Sequence, residues 1–324
     1  GRNDNFFELG GHSLLSLKLL QRIHDRFNVT ELSLTQVLKN SDFVSQLDAI
    51  QKTCVNDEDV ILLAKNGKGV PLYCFPGTAE SSSSYQKVAG ICTGERPVYA
   101  FVSHSLTSKR WHEYSMDSLA SQYAEYIMNS AKGGACALLG WSLGADLAFK
   151  TAIKLSGKVE VVFLGLVDAI DHDLTASRQL SAKEIEAAQG RIDSLLEKST
   201  MKKYWSRTIS KLSPEMWNHF AGKLLSDGDK LILDGPGYDS AEYRYWVGID
   251  ALCMAAESVY EAVDAPMYVW SADPACRRED ILSRDWSKSG SLLFHDVVLG
   301  SRHMDIMNSD DFVISIDKIL AQLP

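Results

Sequence analysis

Hydrophobic and polar positions change rhythm once along the chain, near residue 60. Before that point the spacing is helical. From Ser13, apolar residues fall at Leu14, Leu17, Leu20, Ile23 and Phe27, one stripe of a helix. Ser33 and Gln36 stand at capping-box spacing before a short helix through Val37 and Leu38. Phe43, Val44, Leu47 and Ile50 mark a further amphipathic helix. Residues 1–53 therefore read as a small all-α domain, and the polar, acidic residues 54–59 as a linker.

Beyond residue 60, short apolar runs alternate with helical patterns. Strands are expected at Val70–Phe75, Pro97–Val102, Ala135–Leu139, Val159–Val167, Pro266–Ser271 and Leu292–Leu299. Helices between successive strands imply βαβ units and a mostly parallel sheet over residues 60–324. The rhythm breaks between Asp173 and Asp264, where charged amphipathic segments carry Trp205, Trp217 and Trp246. An insertion of this kind, over about residues 172–263, suits a helical lid above the strand ends.

Composition narrows the class. The 324 residues are 45% hydrophobic and 23% charged, enough apolar material for two cores without a staple. A net charge of −9, with no basic run, argues against nucleic acid as a partner. No apolar stretch reaches the ~18 residues of a membrane span, and Gly1-Arg2-Asn3-Asp4 lacks a signal-peptide pattern. The six cysteines are scattered, with no C-x-x-C pair, which favours the cytoplasm over a disulfide framework or zinc site. Cys74 and Cys136 lie in strand-like runs and read as small hydrophobes. No metal is expected.

The candidate chemistry centres on Gly140-Trp141-Ser142-Leu143-Gly144. G-x-S-x-G alone would arise by chance in about one chain in ten of this length. Here a buried-strand run, Ala135–Leu139, precedes it, and helical spacing at Leu147, Ala148, Thr151, Ala152 and Leu155 follows. Strand, tight turn and helix are the setting of a nucleophile elbow, which lifts the serine hydroxyl to a helix N-terminus. The architecture expected is an α/β-hydrolase with Ser142 as nucleophile.

A serine needs a base, and on this fold the chain order is serine, acid, histidine. His303 follows the last strand and the turn residues Gly300-Ser301-Arg302, so it hangs from a loop before the terminal helix. His295 lies within a strand; His12, His24, His104 and His112 precede Ser142; His172 and His219 fall in the insertion. Three acids compete. Asp168 and Asp273 each end a strand, and Asp171 lies three residues past the first. The pattern divides the role almost evenly between Asp168 and Asp273. Oxyanion donors are expected from the N–H of Leu143 and from the loop after the first strand, with Thr78 the favoured residue.

Asp4-Asn5-Phe6-Phe7-Glu8-Leu9-Gly10-Gly11-His12-Ser13-Leu14 is the most specific stretch of the chain. It resembles the phosphopantetheine attachment motif of peptidyl carrier domains in nonribosomal peptide synthetases. The resemblance covers residues 1 to about 53 and implies a 4'-phosphopantetheine arm on Ser13, installed by a phosphopantetheinyl transferase. Such carriers have a helix before the Asp-x-Phe-Phe segment, so the bundle's first helix is expected to be missing from this sequence. The rest, from about residue 60, looks like the type I thioesterase that ends these synthetases. The shared features are Tyr73-Cys74-Phe75-Pro76, the elbow, Leu164-Gly165-Leu166-Val167-Asp168 and Arg302-His303-Met304-Asp305-Ile306-Met307. In that family the acid follows the strand after the nucleophile helix, which favours Asp168. One departure is Gly77, where the family often has a second proline. The carrier–thioesterase end of enterobactin-type synthetases is the nearest relative the motifs suggest.

The expected function is release of a carrier-bound peptidyl or acyl thioester, by hydrolysis or macrocyclisation, with upstream condensation and adenylation domains as partners. Two alternatives stand beside it. One is an editing thioesterase that clears misloaded carriers; the other is a catalytically inactive docking scaffold.

Overall fold

The structure, a computed structural model, describes residues 59–78, 82–107, 114–131, 134–171, 179–197, 262–276 and 282–324, together with residues 15, 18, 19, 22, 42, 214, 217, 218, 221 and 222. Its centre is a seven-stranded sheet. The strands are β1 (Val60–Ala64), β2 (Leu72–Phe75), β3 (Val98–Phe101), β4 (Ala135–Trp141), β5 (Glu160–Val167), β7 (Val263–Ala272) and β9 (Gly290–Val298). Their order is β1-β3-β2-β4-β5-β7-β9. All neighbours run parallel except β1, which pairs antiparallel with β3 at one edge.

The six strand-like runs of the sequence form β2 to β5, β7 and β9. β1 was not foreseen. Val60-Ile61-Leu62-Leu63 is a short continuous apolar run, which periodicity cannot assign, and as an edge strand it leaves Ile61 and Leu62 exposed. A further two-stranded ladder joins β6 (Ile170–Asp171) to β8 (Leu282–Ser283), both too short to carry a pattern.

Parallel strands need crossovers, and these cover both faces of the sheet. On one face lie α3 (Met116–Ala131) and α4 (Leu143–Leu155), which follow α1 (Gln86–Ile91) and the short α2 (His104–Thr107) in the chain. Met116, Leu119, Tyr123 and Ile127 of α3 meet Cys136 and Leu138 of β4 and Leu164 and Leu166 of β5 in one core. The alternate residues, Ala137, Leu139, Phe163 and Val167, point the other way. They pack with Val88 of α1 and with Phe312, Ile316 and Leu320 of the C-terminal helix α6 (Asp310–Leu320). Period 2 in the strands thus feeds two cores. Burial pushes the Cys136 thiol up to about 12, so it packs here as a neutral hydrophobe.

Within the stretch read as an insertion, α5 (Ala182–Glu197) is helical and opens on a capping box. Ser181 N–H donates to Glu184 Oε2 at 2.9 Å, and Glu184 N–H to Ser181 Oγ at 3.3 Å. The described residues 214, 217, 218, 221 and 222 are also helical. In the N-terminal domain, residues 15, 18, 19 and 22 are helical; Ser13, and the other two helices expected there, lie outside the described residues. No helix among the described residues is long and apolar enough to cross a membrane.

Arg96 closes the end of the sheet opposite the nucleophile. It is buried, and its guanidinium donates to Val70 O at 3.1 Å and Leu320 O at 2.7 Å, tying the last turn of α6 to the start of β2. A charged donor with buried acceptors is costly to remove. Arg96→Ala should therefore lower unfolding free energy by about 3 kcal/mol, read as a lower urea midpoint with an unchanged m-value; an unchanged midpoint would show that the clamp carries no stability.

Candidate active site

Every parallel strand of the sheet points its C-terminal end the same way, and the candidate residues collect there. β4 ends at Trp141, and α4 begins at Leu143. Between them Ser142 adopts φ 56°, ψ −127°, a strained turn for a residue with a side chain. Two glycines make the turn possible. A β-carbon on Gly140 would come within 1.9 Å of Gly144 O, and one on Gly144 within 2.2 Å of Phe75 O. Helix, nucleophile strand and the end of β2 therefore cross at backbone contact.

His303 sits on the loop after β9. Its Nε2 lies 3.0 Å from Ser142 Oγ and its Nδ1 2.7 Å from Asp168 Oδ2. A carboxylate only accepts, so Nδ1 carries the proton, and Nε2 is the acceptor for the serine hydroxyl. The Trp141 ring faces the imidazole at 5.3 Å between centroids, and Trp141 Nε1–H donates to His303 O at 3.1 Å. The histidine is thus held through both its ring and its main chain.

Asp168 follows β5 with φ 47° and a fully buried side chain. Its N–H donates to Trp270 O at 2.7 Å, and its Oδ1 accepts from Ala272 N–H at 2.8 Å, leaving Oδ2 for His303. Both carboxylate oxygens are satisfied, which a buried charge requires.

Asp273, the rival acid, touches the imidazole's loop and not the imidazole. Its Oδ2 accepts from Gly300 N–H at 2.8 Å, its Oδ1 from Ala275 N–H at 2.9 Å, and its own N–H donates to Ser301 O at 3.0 Å. The bonds from Gly300 and then Ala275 hold its carboxyl below the usual range, although it is only half-buried. Asp171 has its backbone in the β6–β8 ladder, and its side chain lies outside the described residues. His295 belongs elsewhere, with Nε2 3.3 Å from Ser271 Oγ. His104 lies in α2, its ring 5.3 Å from that of Tyr114. The remaining histidines lie outside the described residues.

Leu143 opens α4, where first-turn N–H groups have no intrahelical acceptor. Thr78 is exposed and lies three residues past β2, in the loop whose Gly77 packs against the Trp141 ring. Two supporting groups escaped the sequence reading. The buried Asp146 of α4 has its Oδ1 3.6 Å from Arg284 Nε, and the main-chain N–H of Arg284 donates to Ala169 O at 3.0 Å. Tyr85, fully buried, reaches the elbow with its hydroxyl. Neither has a local pattern that could have announced it.

A family model described as a thioesterase domain matches residues 70–322, and one described as a phosphopantetheine attachment site matches residues 1–50. The chain is 27% identical over 183 residues to inactive atromentin synthetase invA4 of Paxillus involutus, covering 54% of this chain and 19% of that protein. It is 30% identical over 175 residues to a dimodular nonribosomal peptide synthase of Bacillus subtilis (strain 168), covering 52% of this chain and 7% of that one. It spans less than a fifth of the length of either relative. A crystal structure of a four-domain nonribosomal peptide synthetase, bound to AMP and glycine, has the same fold. The TM-score is 0.54 and the identity 21%, over 99% of this chain and 24% of that one.

The crossing at Gly144 is open to a direct check. Gly144→Ala should destabilise the protein by more than about 4 kcal/mol, because its β-carbon would meet Phe75 O at 2.2 Å. Gly90→Ala, where a β-carbon meets nothing within 4 Å, should be neutral or mildly stabilising. Equal urea midpoints for the two variants would contradict the crossing.

Proposed function

Because the chain belongs to the thioesterase domain family, we propose that it releases an acyl or peptidyl chain from a thioester, as the terminal step of nonribosomal peptide synthesis. The observation that carries this reading is the hydrogen-bonded series Ser142–His303–Asp168, at 3.0 and 2.7 Å.

His303 Nε2 takes the Ser142 hydroxyl proton as Oγ attacks the thioester carbonyl. Asp168 stabilises the imidazolium that forms, through Nδ1–H. The N–H groups of Leu143 and Thr78 receive the oxyanion, and the positive end of α4 lies beneath it. Collapse of the tetrahedral intermediate breaks the carbon–sulfur bond, and His303 returns the proton to the departing thiolate. Ser142 is then an ester. His303 next removes a proton from water, or from a hydroxyl or amine of the bound chain, which attacks the ester carbonyl, and returns that proton to Ser142 Oγ as the ester bond breaks. Water gives the acid; an internal nucleophile gives a ring. The insertion over residues 172–263, most of which lies outside the described residues, is the proposed lid that favours one acceptor over another.

Ser13 is the proposed attachment point of 4'-phosphopantetheine, and the match to an attachment site over residues 1–50 supports it. When bound, that group supplies the thiol on which the acyl chain is presented. Its partners would be a phosphopantetheinyl transferase and upstream condensation and adenylation domains of the same synthetase.

Ser142→Ala should abolish release of product from a synthetic pantetheine thioester, followed by mass spectrometry, and a folded variant with unchanged turnover would sink the reading. The two acids should also part company. Asp168→Asn should lower kcat by about 10³-fold or more, while Asp273→Asn, which retains one acceptor for the loop N–H groups, should stay within about tenfold. The reverse ranking would move the acid to Asp273.

A further inference from the structure

The last rung of the sheet beside the nucleophile carries a third party. Within the parallel β2–β4 pair, Phe75 lies opposite Gly140, and Ala137 N–H donates to Pro71 O at 2.9 Å. Rungs of a parallel ladder recur every second residue. Counting upward, they fall at Leu139 N–H to Tyr73 O and finally at Trp141 N–H to Phe75 O. The next rung would need Gly77 N–H at Trp141 O, but the β2–β4 register ends at the Phe75–Gly140 pair. The hydroxyl of Tyr85 engages both partners of that final rung. It donates to Phe75 O and accepts from Trp141 N–H at 3.0 Å.

Both ends of this rung matter to the site. Trp141 immediately precedes Ser142, and Phe75 immediately precedes the Pro76–Thr78 loop. Phe75 O is also the atom that a β-carbon on Gly144 would meet first. The hydroxyl arrives from a separate element: Tyr85 closes a single 3₁₀ turn, Ser83–Tyr85, just before α1. The ring is 0% exposed and packs among Leu139, Trp141 and Ile306 in the core behind the sheet.

We infer that the Tyr85 hydroxyl is a positioning group for catalysis. It fixes the distance between the two sources of oxyanion donors, the Leu143 N–H after the elbow and the Thr78 N–H after β2. This rests on the oxyanion assignment of the proposed function. The physical argument is one of leverage. A ladder's last rung frays most easily, because nothing lies above it. Here the two strands must instead hold their ends to sub-ångström precision, since a misplacement of about 1 Å costs roughly 100-fold in rate. One buried hydroxyl with both a donor and an acceptor role restores the constraint where the ladder ends. It contributes nothing to substrate binding, so its loss should appear in the rate of reaction at bound Ser142.

The test uses a fluorophosphonate probe on the whole chain, reading the inactivation constant and the probe's binding constant separately. Failure of wild-type Ser142 to label would count against the proposed function itself. Given labelling, Tyr85→Phe should lower the inactivation constant about 10- to 100-fold, with the binding constant unchanged within twofold. Tyr85→4-fluorophenylalanine fills the hydroxyl's space without donating, keeps the packing if Tyr85→Phe folds poorly, and should lose the rate equally. Tyr85→4-aminophenylalanine restores a donor and should recover most of it. Tyr73→Phe is the control for stability. It removes another buried hydroxyl, 2.7 Å from Ser130 Oγ, and should lower Tm comparably while leaving both constants unchanged within twofold. Labelling of the donorless variants at the wild-type rate overturns the inference, as does a loss that 4-aminophenylalanine does not recover.

Discussion

One contact sets the rest of the molecule: the approach of α4 to the ends of β2 and β4 at Gly144 and Gly140, too close for any β-carbon. A helix that starts this near a strand end leaves no room for a relaxed connection. Ser142 takes the strain, at φ 56°, and its side chain is lifted onto the start of the helix. Strain of this kind costs about 1–3 kcal/mol and survives only where the surroundings over-determine it. Here they do. Ser142 N–H donates to Val167 O and Ala145 N–H to Ser142 O, both at 2.9 Å, so the turn is pinned from β5 and from its own helix.

Parallel strand order then distributes the remaining roles. β2, β4, β5, β7 and β9 present their C-terminal ends along one edge. Each contributes one part: the loop at Thr78, the serine, the buried aspartate, the backbone N–H of Ala272 that supports it, and the histidine loop. This is the crevice that open parallel α/β sheets offer to ligands. The two aspartates show how burial divides labour there. Asp168 is enclosed and must have each oxygen satisfied, so its geometry is rigid. Asp273 stays half-buried and holds the histidine loop through the Gly300 N–H and the Ser301 carbonyl, an arrangement that screening and water make cheaper to vary.

Much of this was legible in the residues, for definite reasons. Continuous apolar runs ended by Asp168 and Asp273 marked strand ends, and the elbow stood between a strand run and a helical run. Local chemistry could not choose between the two acids, because both stand at the same kind of boundary; a likeness to known thioesterases favoured Asp168. The structural difference between them is long-range: the Asp168 carboxylate meets His303 across 135 residues and Ala272 across 104. The same limit hid Tyr85, whose hydroxyl meets Trp141 across 56 residues, and the buried Asp146–Arg284 pair. β1 escaped because Val60-Ile61-Leu62-Leu63 is a short continuous apolar run with no period to read. Apart from the helical residues 15, 18, 19 and 22, the carrier reading lies outside the described residues, as does Ser13, and both rest on the motif and the family match.

Trp141 shows how tightly the parts are coupled. Its N–H meets Tyr85, its indole N–H holds the His303 carbonyl, and its ring faces the imidazole. The same ring would stand 3.2 Å from a β-carbon at position 77. That spacing is tighter than ordinary van der Waals contact, so a proline there would have to push the indole away. The departure at Gly77 from the proline that this loop often carries is thereby explained by the residue at position 141. A large aromatic ring in the elbow, used to hold the histidine, thereby favours a residue without a side chain in the facing loop. The two positions therefore form one choice, and changing either alone would disturb the donor loop and the base together.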